Sequence, residues 1–471
     1  MTALQELLAI RGGAPLKADE VEITGSDPIY KTPFKLGGTT AEVLAACGVA
    51  ANDLWELKTG RRQKVSVNVE AAAGGLDEKN NSLAKNQDGE YSRIEGSESM
   101  KHMASLTQPW ETSDHKWFLP HTNLKHLEAR VLKVLECEST VESLQKAISK
   151  RTAQELEDSI AQANACGGIA RTEEEWLQHP QGKYLSSVPV VEIAKIIDSP
   201  KESLSDKGDM PLSGVRVLDL TRILAGPVCG LTLAELGADV LMVTAEKLPQ
   251  VNEFVRDTSH GKRSCFLDIS KKEDASKLKE LVKDCDILID GYRPDRLAAY
   301  GFGPEELVKL RPGLIHVSIS CFGSGGPFSS RAGWDQVAQA VTGMCVKQGE
   351  SIGSNKPQLT PVFACDYVCG RLGAFGAMLA LNRRAQDGGS YSIQVSLCQA
   401  AMLLQRQGYV DDFLDAPNLI SKELFEKYQV IEDNTAYGDL KVLGPVLKLS
   451  ETPCQWVRKT PKLGQDKPEW L

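Results

Sequence analysis

The 471-residue chain lacks most of the short motifs that mark a metal site or a phosphate-binding loop. It has no CxxC pair, no HExxH helix, no P-loop and no EF-hand loop, so no metal is predicted. It has no run of eighteen apolar residues, so no membrane span is predicted. Positive charge is in deficit, and the net charge of -9 argues against a nucleic-acid partner, which requires a basic face.

The N-terminus lacks a basic n-region, so the sequence predicts no secretory signal. Twelve cysteines without such a signal are typical of reduced thiols in an intracellular protein, and we expect a cytoplasmic location. With 42% hydrophobic and 25% charged residues, the composition is that of an ordinary folded protein, and the length predicts two or three domains.

The second half of the chain alternates short apolar strands with helices. This rhythm predicts an α/β fold with a doubly wound, parallel, Rossmann-like sheet, whose ligands bind at the carboxyl ends of the strands. No G-x-G-x-x-G follows the first strand, so we set a nicotinamide-dependent dehydrogenase aside. The predicted strands are residues 215–220, 239–244, 263–268, 286–290 and 314–320.

The first half predicts a helix over 40–58, a strand over 64–69, a polar loop over 80–98 and helices near 123–136, 139–149 and 152–164. A segment rich in proline, glycine and charge over 199–213 predicts a linker. The predicted division is therefore 1–198 with a smaller α+β domain, 199–213 as linker, 214–401 as the sheet domain, and 402–471 as a tail returning to that domain.

A weak internal repeat joins the two halves. Residues 32–73 align with 360–401 at an offset of 328, and nine of the 42 aligned positions are identical. A Thr-Pro start, a small-residue helix, a glycine turn and a strand coincide. Gly38 stands where the second copy has Asp366, so only the second copy keeps a carboxylate there.

Asp366 ends the stretch Pro361-Val-Phe-Ala-Cys-Asp366 and precedes a predicted helix over 367–385. A carboxylate at a helix start caps free N–H groups, and the positive end of the helix dipole favours its ionised form. The same fixed carboxylate is suited to nucleophilic attack. The residues alone leave both roles open.

Several motifs in order over 213–401 resemble the family III CoA-transferases, also called CaiB/BaiF. The motifs are Asp219-Leu-Thr-Arg-Ile-Leu-Ala-Gly-Pro227, Leu236-Gly-Ala-Asp-Val240, Gly261-Lys-Arg-Ser264, Gly291-Tyr-Arg-Pro294 and Asp335-Gln-Val-Ala-Gln339. The order of the halves departs from the family, since 32–198 resemble the family's second half and come first. The chain therefore resembles a rearranged fusion of two family members.

The resemblance implies a CoA-transferase that moves CoA from an acyl-CoA to a small carboxylic acid, with Asp366 as the nucleophile. Attack on the thioester gives an aspartyl anhydride and then an aspartyl-CoA thioester. It also implies an interlocked homodimer, although a fused double chain offers closure within one molecule. The alternatives are an acyl-CoA racemase or epimerase, which Trp334 disfavours by standing where racemases carry a histidine, and a catalytically silent CoA-binding homologue.

The resemblance and the charge pattern also give candidate contacts with coenzyme A. Ala225 matches a family position where the main chain approaches CoA, and Lys262 and Arg263 match a family segment beside the CoA nucleotide. Tyr292 stands where the family places an aromatic residue beside CoA, and a packed core role stays open for it. Arg222 is a phosphate ligand or a solvated strand-end charge, and Arg293 and Arg296 are phosphate candidates on charge alone.

Overall fold

The computed structural model describes residues 1–205, 208–293 and 296–471, with the side chains of 78 and 79 excluded. Asp206 and Lys207 of the predicted linker, and Pro294 of the Gly291–Pro294 motif, lie outside the described residues.

The helices within these residues have the following bounds: α1 Ala3–Arg11, α2 Leu36–Thr59, α3 Val69–Gly74, α4 Glu78–Asn81, α5 Glu98–Leu106, α6 Lys125–Leu135, α7 Val141–Ile148, α8 Ala153–Gln162, α9 Glu173–Gln178, α10 Pro180–Ser187, α11 Ala225–Glu235, α12 Asn252–Thr258, α13 Lys272–Lys283, α14 Pro304–Leu310, α15 Asp335–Thr342, α16 Met344–Ser351, α17 Ala364–Asp387, α18 Leu397–Arg406 and α19 Lys422–Tyr428.

The strands are β1 Val21–Thr24, β2 Val65–Asn68, β3 Ser82–Lys85, β4 Tyr91–Arg93, β5 Trp110–Glu111, β6 Trp117–Pro120, β7 Gly167–Ile169, β8 Glu192–Ile197, β9 Arg216–Asp219, β10 Asp239–Thr244, β11 Arg263–Phe266, β12 Ile287–Asp290, β13 Ile315–Ser320, β14 Ser390–Ser396, β15 Gln429–Thr435, β16 Gly438–Leu443 and β17 Lys448–Leu449.

The main sheet has the strand order β11-β10-β9-β12-β13-β14-β8. The first six strands run parallel and follow the doubly wound 3-2-1-4-5-6 order, and β8 is added antiparallel at the edge. The predicted α/β fold is confirmed. The strand order reverses between β9 and β12, and this switch point is where such sheets bind ligands.

Helix α17 is the central helix of the core and is buried over nearly its whole length. A Cβ added at Gly370 would lie 2.3 Å from the Ala225 carbonyl oxygen, so glycine is required where α17 crosses the start of α11. Among the described helices, α17 alone is long and apolar enough to cross a membrane, and its apolar window is entirely inside the fold.

The two segments of the predicted repeat fold alike. Helices α2 and α17 begin at 36 and 364 and end at 59 and 387, so both ends are 328 residues apart. Asn68 and Ser396, also 328 apart, end β2 and β14 and cap α3 and α18. Each strand has one parallel neighbour, β1 or β13, and one antiparallel neighbour, β17 or β8.

The polar segment 80–98, predicted as a loop, instead contains the hairpin β3–β4. It pairs with the β15–β16 hairpin from the end of the chain to form a four-stranded antiparallel sheet. The loop prediction was wrong because polar strands exposed on one face give a weak alternation signal. Beyond β17 the tail crosses back to the main sheet, where Gly261 N–H donates to the Arg458 carbonyl and Asp466 N–H to that of Ser264.

Candidate active site

A cavity of about 500 Å³ opens at the switch point between β9 and β12. The sheet domain forms most of its lining, including the turn before α11, the segment after β12 and the start of α17. Leu124, His126 and Leu127, at the start of α6, form a further wall. Residues from the 1–198 and 214–401 segments of one chain therefore share the cavity.

Asp366 lines this cavity from the first turn of α17 and is buried. It was predicted to precede the helix, whereas the helix begins two residues before it, after Phe363. The main-chain N–H of Asp366 donates to Asp335 Oδ2 at 3.0 Å. The carboxylate that caps α17 is thus Asp335, while the Asp366 side chain stands in the positive field of the helix start, which stabilises negative charge.

Asp335 is a buried carboxylate at the start of α15. Burial raises its pKa to about 6, opposed by hydrogen bonds from the Asp366 N–H, the Gln339 side chain and the Cys365 N–H. Gln339 in turn accepts the N–H of Thr360 at 2.9 Å. This network fixes the chain on both sides of the turn that presents Asp366.

The first copy has the same arrangement without a carboxylate at the position of Asp366. Asp27 accepts the N–H of Gly37 at 3.0 Å and that of Gly38 at 2.7 Å, at the start of α2. Gly37 and Gly38 correspond to Cys365 and Asp366 in the repeat. A carboxylate therefore holds the start of each long helix, half-buried Asp27 for α2 and buried Asp335 for α17, and only the second copy carries an aspartate in the held turn.

Introducing the missing carboxylate should destabilise the first copy. A Cβ added at Gly38 would lie 3.1 Å from Asp27 Oδ2, so Gly38→Asp places two carboxylates together. We expect Gly38→Asp to lower the free energy of unfolding by about 1–2 kcal/mol relative to Gly38→Ala at pH 7, because like charges repel. Urea denaturation of both variants checks this, and equal stability would contradict it.

Five of the predicted CoA contacts line the cavity: Arg222, Ala225, Tyr292, Arg293 and Arg296. The Arg222 guanidinium lies 5.7 Å from the centre of the Tyr292 ring and donates to the Pro249 carbonyl at 2.8 Å. Arg293 donates to Asn164 Oδ1, at the end of α8, at 3.1 Å.

Between Arg222 and Ala225, Ile223 has a φ of 78°, a strained conformation for a β-branched residue. Such strain is frequent where a main chain is shaped around a ligand. It lies in the turn that brings Ala225 to the cavity.

Lys262 and Arg263 do not line the cavity. Lys262 is fully buried, pairs with Asp219 Oδ2 at 3.0 Å and donates to the Pro227 carbonyl at 2.7 Å. Arg263 pairs with Asp239 at 2.9 Å. Both cations are held in ion pairs inside the sheet domain, so the structure does not bring these two predicted contacts to the site.

Three basic residues of the cavity lining were not predicted: His126, Lys247 and Arg331. Lys247 pairs with Asp268 at 2.6 Å, and the Arg331 guanidinium lies 3.7 Å from the centre of the Phe328 ring. A basic residue on a helix or loop looks like a solvated charge in sequence, so no local signal marks these three.

Trp334 also lines the cavity, next to Asp335, and stacks on the buried His121 with ring centres 4.7 Å apart. All twelve cysteines are free thiols. Within the described residues, no group of three or more His, Cys, Asp or Glu side chains is arranged to hold a metal ion.

The geometry defines an α/β protein with a carboxylate in a cation-rich cavity at a Rossmann-like switch point, and comparison with known proteins gives the family. The profile of CoA-transferase family III matches residues 212–422. The chain is 31% identical over 396 residues to an acyl-CoA transferase of Gibberella moniliformis, covering 73% of this chain and 69% of that protein. The chain belongs to CoA-transferase family III.

Other similar proteins include the acetyl-coenzyme A transferase nodX of Hypoxylon pulicicidum, 31% identical over 62% of this chain and 53% of that protein. The mouse succinyl-CoA:glutarate CoA-transferase is 35% identical over 41% of this chain and 48% of that protein. A solved CAIB/BAIF family protein from Brucella suis is 30% identical with a TM-score of 0.38, over 42% of this chain and 57% of that one. The chain thus spans about half to two thirds of these relatives.

Proposed function

We propose that the chain is a CoA-transferase that moves CoA from an acyl-CoA to a small carboxylic acid, with Asp366 as the nucleophile. The observation that carries this proposal is the position of Asp366, in the first turn of α17 and within a cavity that also contains Arg222, Arg293 and Arg296. A negative nucleophile and a set of cations for phosphates are what an acyl-CoA requires.

In the proposed reaction, a carboxylate oxygen of Asp366 attacks the thioester carbonyl carbon. The carbon–sulfur bond breaks, CoA leaves as the thiolate, and an acyl–aspartyl anhydride forms. The thiolate then attacks the Asp366 carbonyl carbon of the anhydride, which releases the donor carboxylate and leaves an aspartyl-CoA thioester. The acceptor carboxylate repeats these two steps in reverse, so the new acyl-CoA departs and Asp366 is regenerated.

The residues around Asp366 support this sequence in two ways. The N-terminal end of α17 stabilises the negative charge that Asp366 carries before attack and after release. Asp335 holds the main chain of the same turn, so the nucleophile does not have to be ordered at the moment of reaction.

We also propose that the protein forms a homodimer and is located in the cytoplasm. Closure of the cavity by Leu124, His126 and Leu127 of the same chain supports the view that each chain carries a complete site. Similarity to proteins named as acyl-CoA and succinyl-CoA transferases supports the substrate class, an acyl-CoA and a small carboxylate.

Trapping of the covalent intermediate tests the proposal. The protein is incubated with a panel of acyl-CoAs, quenched with hydroxylamine and measured by mass spectrometry, beside Asp366→Ala. We expect a hydroxamate at Asp366 that the variant lacks, because hydroxylamine cleaves both the anhydride and the thioester. Absence of any adduct while CoA still binds would overturn the transferase mechanism and favour a silent CoA-binding homologue.

Racemase activity is the second candidate, and Trp334 argues against it. Two-base proton transfer needs a second proton carrier, and an indole ring stacked on His121 offers none. We therefore expect no deuterium at the α-carbon of 2-methylacyl-CoAs recovered from incubation in D₂O, measured by mass spectrometry. Incorporation at the rate of CoA transfer would contradict this expectation.

A further inference from the structure

Four arginines lie near one another beside His126, and we call them the arginine cluster: Arg130 of α6, and Arg222, Arg293 and Arg296, which line the cavity. Within residues 1–205, 208–293 and 296–471, none of the four forms an ion pair with a carboxylate. The partners of three of them are uncharged oxygens, namely Asn164 O for Arg130, Pro249 O for Arg222 and Asn164 Oδ1 for Arg293. The arginines repel one another: burial is the largest cause that lowers the pKa of Arg293, and the positive charges of Arg296 and Arg130 lower it further.

His126 lies within this cluster and belongs to the N-terminal segment. It is exposed at the start of α6 and lines the cavity with Arg222, Arg293 and Arg296. The pKa of His126 is lowered, first by partial burial of the imidazole and then by the positive charges of Arg130, Arg222 and Arg293. Every charged group in this set is positive, so the free site favours the neutral imidazole.

The other charged groups near His126 do not offset this field. On its own helix, Lys125 adds a further cation, and Glu128 contacts His102 Nε2 at 3.1 Å and Ser139. Across the cavity, the Asp268 carboxylate is paired with Lys247. Among the described residues, no carboxylate contributes to the shift at His126.

We propose that a phosphate group of CoA binds between His126 and the arginine cluster, and that His126 takes up a proton as the phosphate binds. The proposal rests on the proposed function and deepens it, because it gives the N-terminal segment a direct part in CoA recognition. A phosphate dianion placed beside the imidazole offsets the arginine charges and favours the imidazolium, which donates to a phosphate oxygen. Asn164, from the same segment, positions Arg293 for this contact.

The sign of the pH effect follows from this exchange. The arginines favour the neutral imidazole in the free protein, and the bound phosphate favours the imidazolium, so CoA binding takes up protons. Affinity for CoA should fall as the pH rises from about 6.5 to 8, across the range in which the bound histidine loses its proton. The ligand phosphate titrates in the same range, so the comparison is made between the wild type and a variant without the histidine.

Isothermal titration calorimetry tests the proposal with His126→Asn and the matched control His115→Asn. His115 is exposed, lies outside this cavity and has a positive φ that asparagine tolerates. CoA is titrated at pH 7 in two buffers that differ in ionisation enthalpy. We expect the wild type and His115→Asn to take up about half a proton more per CoA than His126→Asn, and His126→Asn to bind about tenfold more weakly.

One further ligand, dephospho-CoA, shows which phosphate is bound. If dephospho-CoA removes the difference between wild type and His126→Asn, the 3′-phosphate occupies the site; if the difference persists, the diphosphate does. Equal proton uptake by the wild type and His126→Asn overturns the inference. When that result accompanies a hydroxamate at Asp366, the proposed function stands and only the role of His126 fails.

Discussion

Replacing Asp366 by asparagine is expected to lower the rate of CoA transfer at least about 10⁴-fold, because the amide cannot form the acyl anhydride. The main-chain N–H of residue 366 still donates to Asp335, so the start of α17 keeps its shape. Affinity for free CoA should therefore change by less than about threefold. Initial rates with the donor ranked first by hydroxylamine trapping, together with calorimetric titration of CoA, measure the two quantities.

Asp366→Asn is compared with Asp366→Glu, which keeps the charge but moves the carboxylate by one methylene. Misplacement of a reacting group slows the reaction, and we expect Asp366→Glu to transfer CoA about 10²-fold more slowly than wild type. An asparagine variant with more than one tenth of wild-type activity, verified free of deamidation by mass spectrometry, would remove Asp366 from the mechanism.

Much of the sheet domain was predictable because its strands are short apolar runs between glycine turns. The strand predicted over 239–244 is β10. The strand predicted over 215–220 is one residue longer than β9 at each end, and that over 314–320 is one residue longer than β13 at its start. Buried parallel strands are apolar on both faces, so their signal does not depend on where they pack. The loop prediction for 80–98 was wrong for the opposite reason. The strands in this segment expose one face, and β3 pairs with residues over 300 positions away.

The lining of the candidate site was predictable where a motif fixes the main chain and not where the contacting residues come from elsewhere in the chain. Asp366, Ala225 and Tyr292 follow strands or begin helices of the sheet domain, and all three line the cavity. Lys262 and Arg263 were placed near CoA by resemblance alone, which gives a position in the chain but not the ion pairs with Asp219 and Asp239. These pairs appear only when β9, β10 and β11 lie side by side.

The duplicated helix joins the N-terminal segment to the helix that carries Asp366. Helix α2 packs on α17, and the Cys47 Sγ donates to the Arg371 carbonyl at 3.3 Å where the two helices cross. Arg371 in turn donates to the Gly75 carbonyl, after α3. The first copy thus packs against the helix that carries Asp366, while α6, farther along the same segment, lines the cavity.

Asp335 holds the main chain of the turn that carries Asp366, and its replacement by asparagine should lower kcat about 30- to 100-fold with little change in KM for the acyl-CoA. The oxygen of the asparagine side chain can accept a main-chain N–H as the carboxylate does. Its amide N–H₂ then faces the side-chain N–H₂ of Gln339, so two donors meet and that hydrogen bond is lost. The turn that carries Asp366 then loses part of its support, and misorientation of the nucleophile lowers kcat without weakening CoA contacts made by other residues. Steady-state kinetics separate kcat from KM.

The pH dependence distinguishes this role from a merely structural one. Burial raises the pKa of Asp335 to about 6, so between pH 4 and 6 the folded protein holds a proton that the unfolded chain has released. This group therefore contributes about 2 kcal/mol less to the free energy of unfolding above pH 6 than at pH 4.

Activity should change with pH in the opposite direction, because only the ionised carboxylate accepts all the N–H donors. We expect wild-type kcat to fall as the pH drops through about 6 while the free energy of unfolding gains from this group, and both slopes to flatten in Asp335→Asn. A variant that keeps the wild-type pH profile would leave Asp335 with no part in orienting Asp366.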